Sequence, residues 1–280
     1  MCRCGAEWAG HPGTDRFVNN VGDEATMELT LHGRLANTPA SEVEVAVDPA
    51  PPHRIRVRGR VDERMFYGPK LELWAEVSTQ PGSTSFRISD VLTNRGAADQ
   101  EYQLIYHANY GRPLLEEGAQ FVGAVDRVTP FNMRAAEGIP TWPVYAAPKL
   151  GFVEQVYCLR PRADPEGRAL VMLKNKAGSR GVTMSWSVAS LPYFTLWKNT
   201  NAEDEGYVTG LEPGTGFPYN RRLERKAGRV PKLKPGGSVA MTIDVGILAT
   251  PESVGEIDAR IALLQGGGAP VIDATPAPPE

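Results

Sequence analysis

Four histidines occur in 280 residues, and two of them stand where chemistry could be done. His32 closes the apolar run Leu29-Thr30-Leu31. It is followed by Gly33, which permits a tight backbone, and by Arg34, which offers a rigid set of donors. His107 repeats the pattern in Tyr106-His107-Ala108-Asn109-Tyr110-Gly111, a strand that ends in a polar, aromatic stretch. Glu212 sits in Gly210-Leu211-Glu212-Pro213-Gly214, near the end of an apolar strand and before a Gly-rich turn. If that carboxylate faces a pocket, partial burial raises its pKa toward that of a useful general base. For both histidines a role as a satisfied core or rim residue competes on even terms. His11, in the turn Gly10-His11-Pro12-Gly13, and His53, which opens a basic strand, read as surface residues.

Flat aromatic side chains accompany these groups. Trp142 and Tyr145 lie in an irregular middle stretch, and Phe194, Trp197 and Lys198 in Leu191-Pro192-Tyr193-Phe194-Thr195-Leu196-Trp197-Lys198-Asn199. Aromatic faces beside Arg, Asn and Glu suit a sugar. They suit an ordinary core equally well, and periodicity alone does not decide.

The elements that must carry these residues read as antiparallel strands. Residues 25–31, 42–47, 53–61, 71–77 and 85–92 alternate apolar and polar side chains. Residues 152–159, 169–174, 181–188 and 239–248 form further short apolar segments. Period-2 segments of this length, ten to fifteen residues apart and broken by Gly or Pro, predict a sandwich or barrel. Residues 118–150 show little periodicity and read as a long functional loop over a sheet. A helix is expected over 251–265, with acids near its start and three glycines after it. A disordered Pro/Ala-rich end is expected from Ala269. This divides the chain into a domain over 1–250 and a short helix or flexible tail over 251–280.

Bulk properties narrow the function. Thirty Lys and Arg nearly balance thirty-three Asp and Glu. The longest basic cluster, Arg221-Arg222-Leu223-Glu224-Arg225-Lys226, is short and contains an acid, so no nucleic-acid partner is expected. Three cysteines argue against a disulfide framework and suit a reducing compartment. The Cys2-x-Cys4 pair lacks a matching second pair, and no metal site is expected. Glu154, Asp204 and Glu205 lack calcium-loop spacing. No apolar run reaches membrane-spanning length and no leader is visible, which points to a cytoplasmic protein without a membrane partner. No Gly-rich loop lies between a strand and a helix, so a nucleotide cofactor is not expected.

The ordered set Leu31-His32-Gly33-Arg34, Tyr106-His107-Ala108-Asn109-Tyr110-Gly111, Gly210-Leu211-Glu212-Pro213 and Leu233-Lys234-Pro235-Gly236 resembles the galactose mutarotase-like superfamily, the aldose 1-epimerases. The likeness is greatest to the branch DUF4432 and covers roughly residues 1–250. It implies an all-β supersandwich of large antiparallel sheets. Family members have more chain before the first histidine, so N-terminal strands are either missing here or replaced. A second subunit in a homodimer would cover an edge left that way.

The resemblance also implies an activity that needs no cofactor: interconversion of sugar anomers by acid–base ring opening. Glu212 would be the base at the anomeric hydroxyl, His107 the donor to the ring oxygen, and His32 a hydrogen-bonding support. Arg34, Asn109, Trp197 and Lys198 would contact the carbohydrate. Arg34 departs from the glycine found there in true mutarotases. Two alternatives therefore stand beside the epimerase: an inactive carbohydrate-binding or sensing protein on this fold, and an isomerase of a modified or acidic sugar.

Overall fold

The computed structural model describes residues 1–276. The chain is almost entirely β, with one seven-stranded and one eight-stranded sheet and two two-stranded ribbons among the described residues. These are the large antiparallel sheets that the resemblance implies. Two compact units divide the described chain, one of residues 107–213 with 244–276, the other of 2–106 with 214–243. No helix of the described residues is long and apolar enough to cross a membrane.

In the first unit the hairpin Arg168–Lys174 and Gly181–Ser187 pairs Ala169 with Trp186 and Val171 with Met184. Leu170, Val171, Met172 and Leu173 are consecutive and all buried, so both faces of this strand are covered. Its tight connection is held by Asn175, whose Oδ1 accepts from the backbone N–H groups of Ser179 and Arg180.

The stretch read as a functional loop, 118–150, differs from that expectation at its start. It contains the strands Gln120–Gly123, paired with Arg168–Lys174, and Val125–Pro130, paired with Gln155–Pro161. Both are short, and one ends in proline, which hides the period. What places them is the burial of Phe121, Val125 and Val128. The remainder carries a helical turn Met133–Ala136, capped by Asn132, and a 3-10 turn Ile139–Thr141, and is otherwise irregular.

The helix Pro251–Gln265 forms over the predicted residues. Thr250 and Ser253 make a capping box, and Gly266 at φ 64° ends it. Val254 and Ile261 dock on Ala124, Leu170 and Met172, and each such buried side chain contributes about 2 kcal/mol. Beyond it the described part of the tail is ordered, in contrast to the disorder expected from its composition. Val271–Ile272 pairs in parallel with Val125–Pro130, and Asp273 accepts from Arg127 and Thr129. Two backbone pairs and two side-chain bonds outweigh a Pro/Ala-rich composition here. Residues 277–280 of the expected tail lie outside the described residues.

In the second unit the strands Ile55–Arg64, Lys70–Thr79 and Ser85–Asn94 form an antiparallel meander, with Glu42–Val47 beside the first. Strands at Cys2–Ala6 and Gly13–Val18 precede His32. The basic cluster at 221–226 is a short helix in which Arg221 and Arg225 are spent on acids. Arg221 donates to Glu7 and Asp15, and Arg225 to Asp15 and Glu101.

Candidate functional site

Within the first unit, strands Gln103–Tyr110 (from His107 on), Val208–Gly214, Tyr193–Asn199 and Gln155–Pro161 lie side by side in that order. Side chains alternate across such a sheet, so residues two apart share a face. His107 and Asn109 share one, as do Gly210 and Glu212. On that face Nε2 of His107 lies 3.1 Å from Oε1 of Glu212. The imidazole is 14% exposed and the carboxyl 2%, so the histidine forms the accessible edge of the pair. The two meet at ion-pair distance without the alignment of a hydrogen bond. Glu212 Oε1, which solvent does not reach, has no hydrogen-bond partner among the described residues. A buried acceptor left open in this way is uncommon in native proteins.

Burial pushes the Glu212 carboxyl well above the ordinary carboxylate range, and the negative charge of Glu154 adds to the shift. Gly210 makes room for the pair. A Cβ at this position would come 2.2 Å from Glu212 Oε1 and 3.1 Å from His107 Cε1.

Trp197 closes the other side of His107. Their rings meet edge to face, with centroids 5.5 Å apart and planes at 62°. The indole Nε1–H donates to Oε2 of Glu154 at 2.6 Å. Register explains that bond: Val156 lies opposite Trp197, and Glu154, two residues earlier, occupies the same face on the diagonal.

Lys198 belongs to the opposite face. Its ammonium donates to the carbonyls of Trp142 and Val144 at 2.9 and 2.7 Å, and more weakly to that of Thr141. It lies 4.8 Å from the centre of the Tyr145 ring. Burial lowers its pKa to about 8. Tyr145 in turn hydrogen-bonds Thr209. Lys198 therefore anchors the irregular 139–146 segment and is not grouped with His107 and Glu212. Asn109 is exposed.

His32 and Arg34 are in the second unit. His32 takes the left-handed conformation at φ 63°, with Nδ1 3.1 Å from the carbonyl oxygen of Ala9. Gly33 follows at φ 75°, and a Cβ there would strike the carbonyl oxygens of Trp8 and Gly5. The close backbone approach expected after His32 is thus real. Arg34 lies over Trp8, 4.4 Å from the ring centre, and within 3.5 Å of Glu7 and Glu63.

Of the residues singled out from the sequence, the structure brings together His107, Glu212 and Trp197, with Asn109 on the same face. Glu154 and Gly210 belong to this group but had not been assigned a place in it. The signal for Gly210 was present, a glycine two positions before the glutamate in a strand. Glu154 carried none, because its place depends on strand register. Among the described residues no three His, Cys, Asp or Glu side chains are grouped to hold a metal ion.

Sheets of this kind and a histidine–glutamate pair on one face define an aldose 1-epimerase-like protein at the level of family. The model of the family described as a domain of unknown function, DUF4432, matches residues 1–247, and the chain belongs to that family. A crystal structure from Klebsiella pneumoniae subsp. pneumoniae MGH 78578, described as "a putative aldose 1-epimerase", is 40% identical. The match covers 98% of this chain and 69% of that one, with a TM-score of 0.91. A galactose mutarotase-like protein from Clostridium acetobutylicum shares the fold at 14% identity and a TM-score of 0.59, over 89% of this chain and 79% of the other. The galactose 1-epimerase of Lactobacillus acidophilus NCFM does so at 11% and 0.58, over 86% and 77%. No curated protein matches the chain.

Proposed function

We propose that the chain interconverts the anomers of an aldose by acid–base opening and reclosure of its ring. The observation that carries this reading is the contact of His107 with a buried Glu212 whose Oε1 lacks a hydrogen-bond partner. A cyclic hemiacetal bears its hydroxyl and ring oxygens on the same carbon. An acid and a base that touch each other can therefore serve both. Glu212, ionised, takes the proton of the anomeric hydroxyl. The C1–O1 bond becomes a carbonyl as the bond from C1 to the ring oxygen breaks, and His107, protonated, gives its proton to that oxygen. Rotation about C1–C2 presents the other face of the aldehyde, and the two transfers run in reverse.

A raised carboxyl pKa matches this task, since a base whose pKa lies nearer the working pH accepts and returns a proton more evenly. Trp197 offers an aromatic face and Asn109 an amide for sugar hydroxyls. Lys198 supports the site from the opposite face by holding the 139–146 segment. The reading needs only the first unit, and the roles implied for His32 and Arg34 as support and sugar contact are secondary to it.

The test is anomer exchange across a panel of neutral and acidic aldoses, with the wild type and Glu212→Gln. Exchange that is lost in the variant while binding persists supports the reading. Exchange that survives unchanged removes Glu212 from the role. Binding without exchange in the wild type makes the protein a sugar sensor.

A further inference from the structure

Glu154 is exposed, precedes a strand, and has no part in the proton transfers above, yet two independent observations tie it to them. It receives the Trp197 indole N–H at 2.6 Å, and that indole meets the His107 ring edge to face at 5.5 Å. Its negative charge also acts on the Glu212 carboxyl, adding to the effect of burial. We propose that Glu154 is a positioning residue of this site, holding the Trp197 indole against His107 and presenting a second carboxylate to Glu212. The proposal rests on the acid–base reading of His107 and Glu212, but its geometry can be read without turnover.

The physical basis is rotamer selection. Trp197 is only half-buried, so its packing fixes the ring less firmly than a closed core would. A hydrogen bond from an indole N–H to an ionised carboxylate is stronger than one between neutral groups and selects a single orientation. His107, the accessible member of the pair, then has the buried carboxyl on one side and a fixed ring on the other. The group in contact with Glu212 is His107 on the neighbouring strand, and the charge of Glu154 acts on its carboxyl as well. Any change in the pH dependence caused by Glu154 must act through that pair.

Two substitutions separate the two parts of the role. Glu154→Gln keeps an oxygen acceptor for the indole and removes the charge. It is expected to lower kcat less than Glu154→Ala does, while moving the acid-side inflection of the rate profile to lower pH. Glu154→Ala removes both, and is expected to lower kcat/KM by about ten- to a hundredfold, the scale of a misplaced reacting group. The loss should fall on kcat more than on KM, because Glu154 is not assigned a contact with the sugar.

The indole N–H resonance of Trp197, assigned by its loss in Trp197→Phe, gives the second readout. It should move upfield, with faster solvent exchange, in Glu154→Ala. An indole resonance and rate profile unchanged in Glu154→Ala would overturn the proposal. If the wild type exchanges no anomer, the epimerase reading fails, and the resonance together with the carboxyl titration of Glu212 by carbon NMR decides this proposal by itself. A Glu212 titration identical in wild type and Glu154→Gln, with an unmoved indole in Glu154→Ala, then counts against it.

Discussion

Gly210 and Glu212 share one face of a strand so closely that a Cβ on Gly210 would come 2.2 Å from the glutamate's Oε1. This is nearer than non-bonded atoms approach, so Gly210→Ala must displace the carboxyl or the strand. Overpacking of this kind costs about 1–3 kcal/mol. We expect Gly210→Ala to fold with a lower melting temperature and to lose anomer exchange by about a hundredfold, through displacement of a reacting group. Thermal unfolding and exchange rates measured on the same preparation check both. A variant with wild-type exchange would show that Glu212 can leave its observed position without consequence.

Glu212 also links stability to pH. Its folded-state pKa is raised by burial and by Glu154, so between the ordinary carboxylate range and that raised value the folded chain holds a proton that the unfolded chain has released. Stability contributed by this group is full below the ordinary range and is lost as pH rises through the raised value. Glu212→Gln removes that loss. Denaturant unfolding at pH 5 and pH 8 should show the variant gaining on the wild type at the higher pH. A difference that stays constant with pH would contradict the raised value.

Strands such as Gly181–Ser187 and Ser238–Leu248 were legible because they are partly buried in alternation. That signal weakened where burial became complete, as in Leu170–Leu173, or where a strand shrank to four residues, as in Gln120–Gly123. His107 and Glu212 could be read as chemically apt, but their meeting depends on register between strands a hundred residues apart. Trp197 and Lys198 illustrate the limit most sharply. They are neighbours in sequence and equally suited by type to contact a sugar, yet alternation sends them to opposite faces. The sequence signals that they diverge but not which one faces His107. Glu154 was invisible for the same reason, since its bond to Trp197 exists only because Val156 is paired with that residue.

Thr250 and Ile261 test whether the terminal helix is part of the first unit's stability. Thr250→Ala removes the capping acceptor for the Ser253 N–H and should cost about 1 kcal/mol. Ile261→Ala empties a buried site against Ala124, Leu170 and Met172 and should cost about 2–4 kcal/mol. Chemical denaturation followed by far-UV circular dichroism measures both. Equal, negligible costs would mean that the helix docks without stabilising the sheet.

Lys198 has a role that a charge-removing substitution should expose. Its ammonium satisfies the carbonyls of Trp142 and Val144. Lys198→Met leaves these without their donor, at about 1–3 kcal/mol for each one that water does not reach. Burial lowers its pKa to about 8. From there up to the ordinary lysine range, the folded chain has released a proton that the unfolded chain still binds. The penalty of burying the charge is therefore present below pH 8 and relieved as pH rises above it. The stability difference between wild type and Lys198→Met should grow in favour of the wild type between pH 8 and pH 10. Hydrogen exchange should locate the damage in residues 139–146. Sugar KM should change less than it does in Trp197→Ala, because Lys198 lies on the other face of the sheet. A rise in KM confined to acidic sugars, without loss of protection in 139–146, would instead place its ammonium on the substrate.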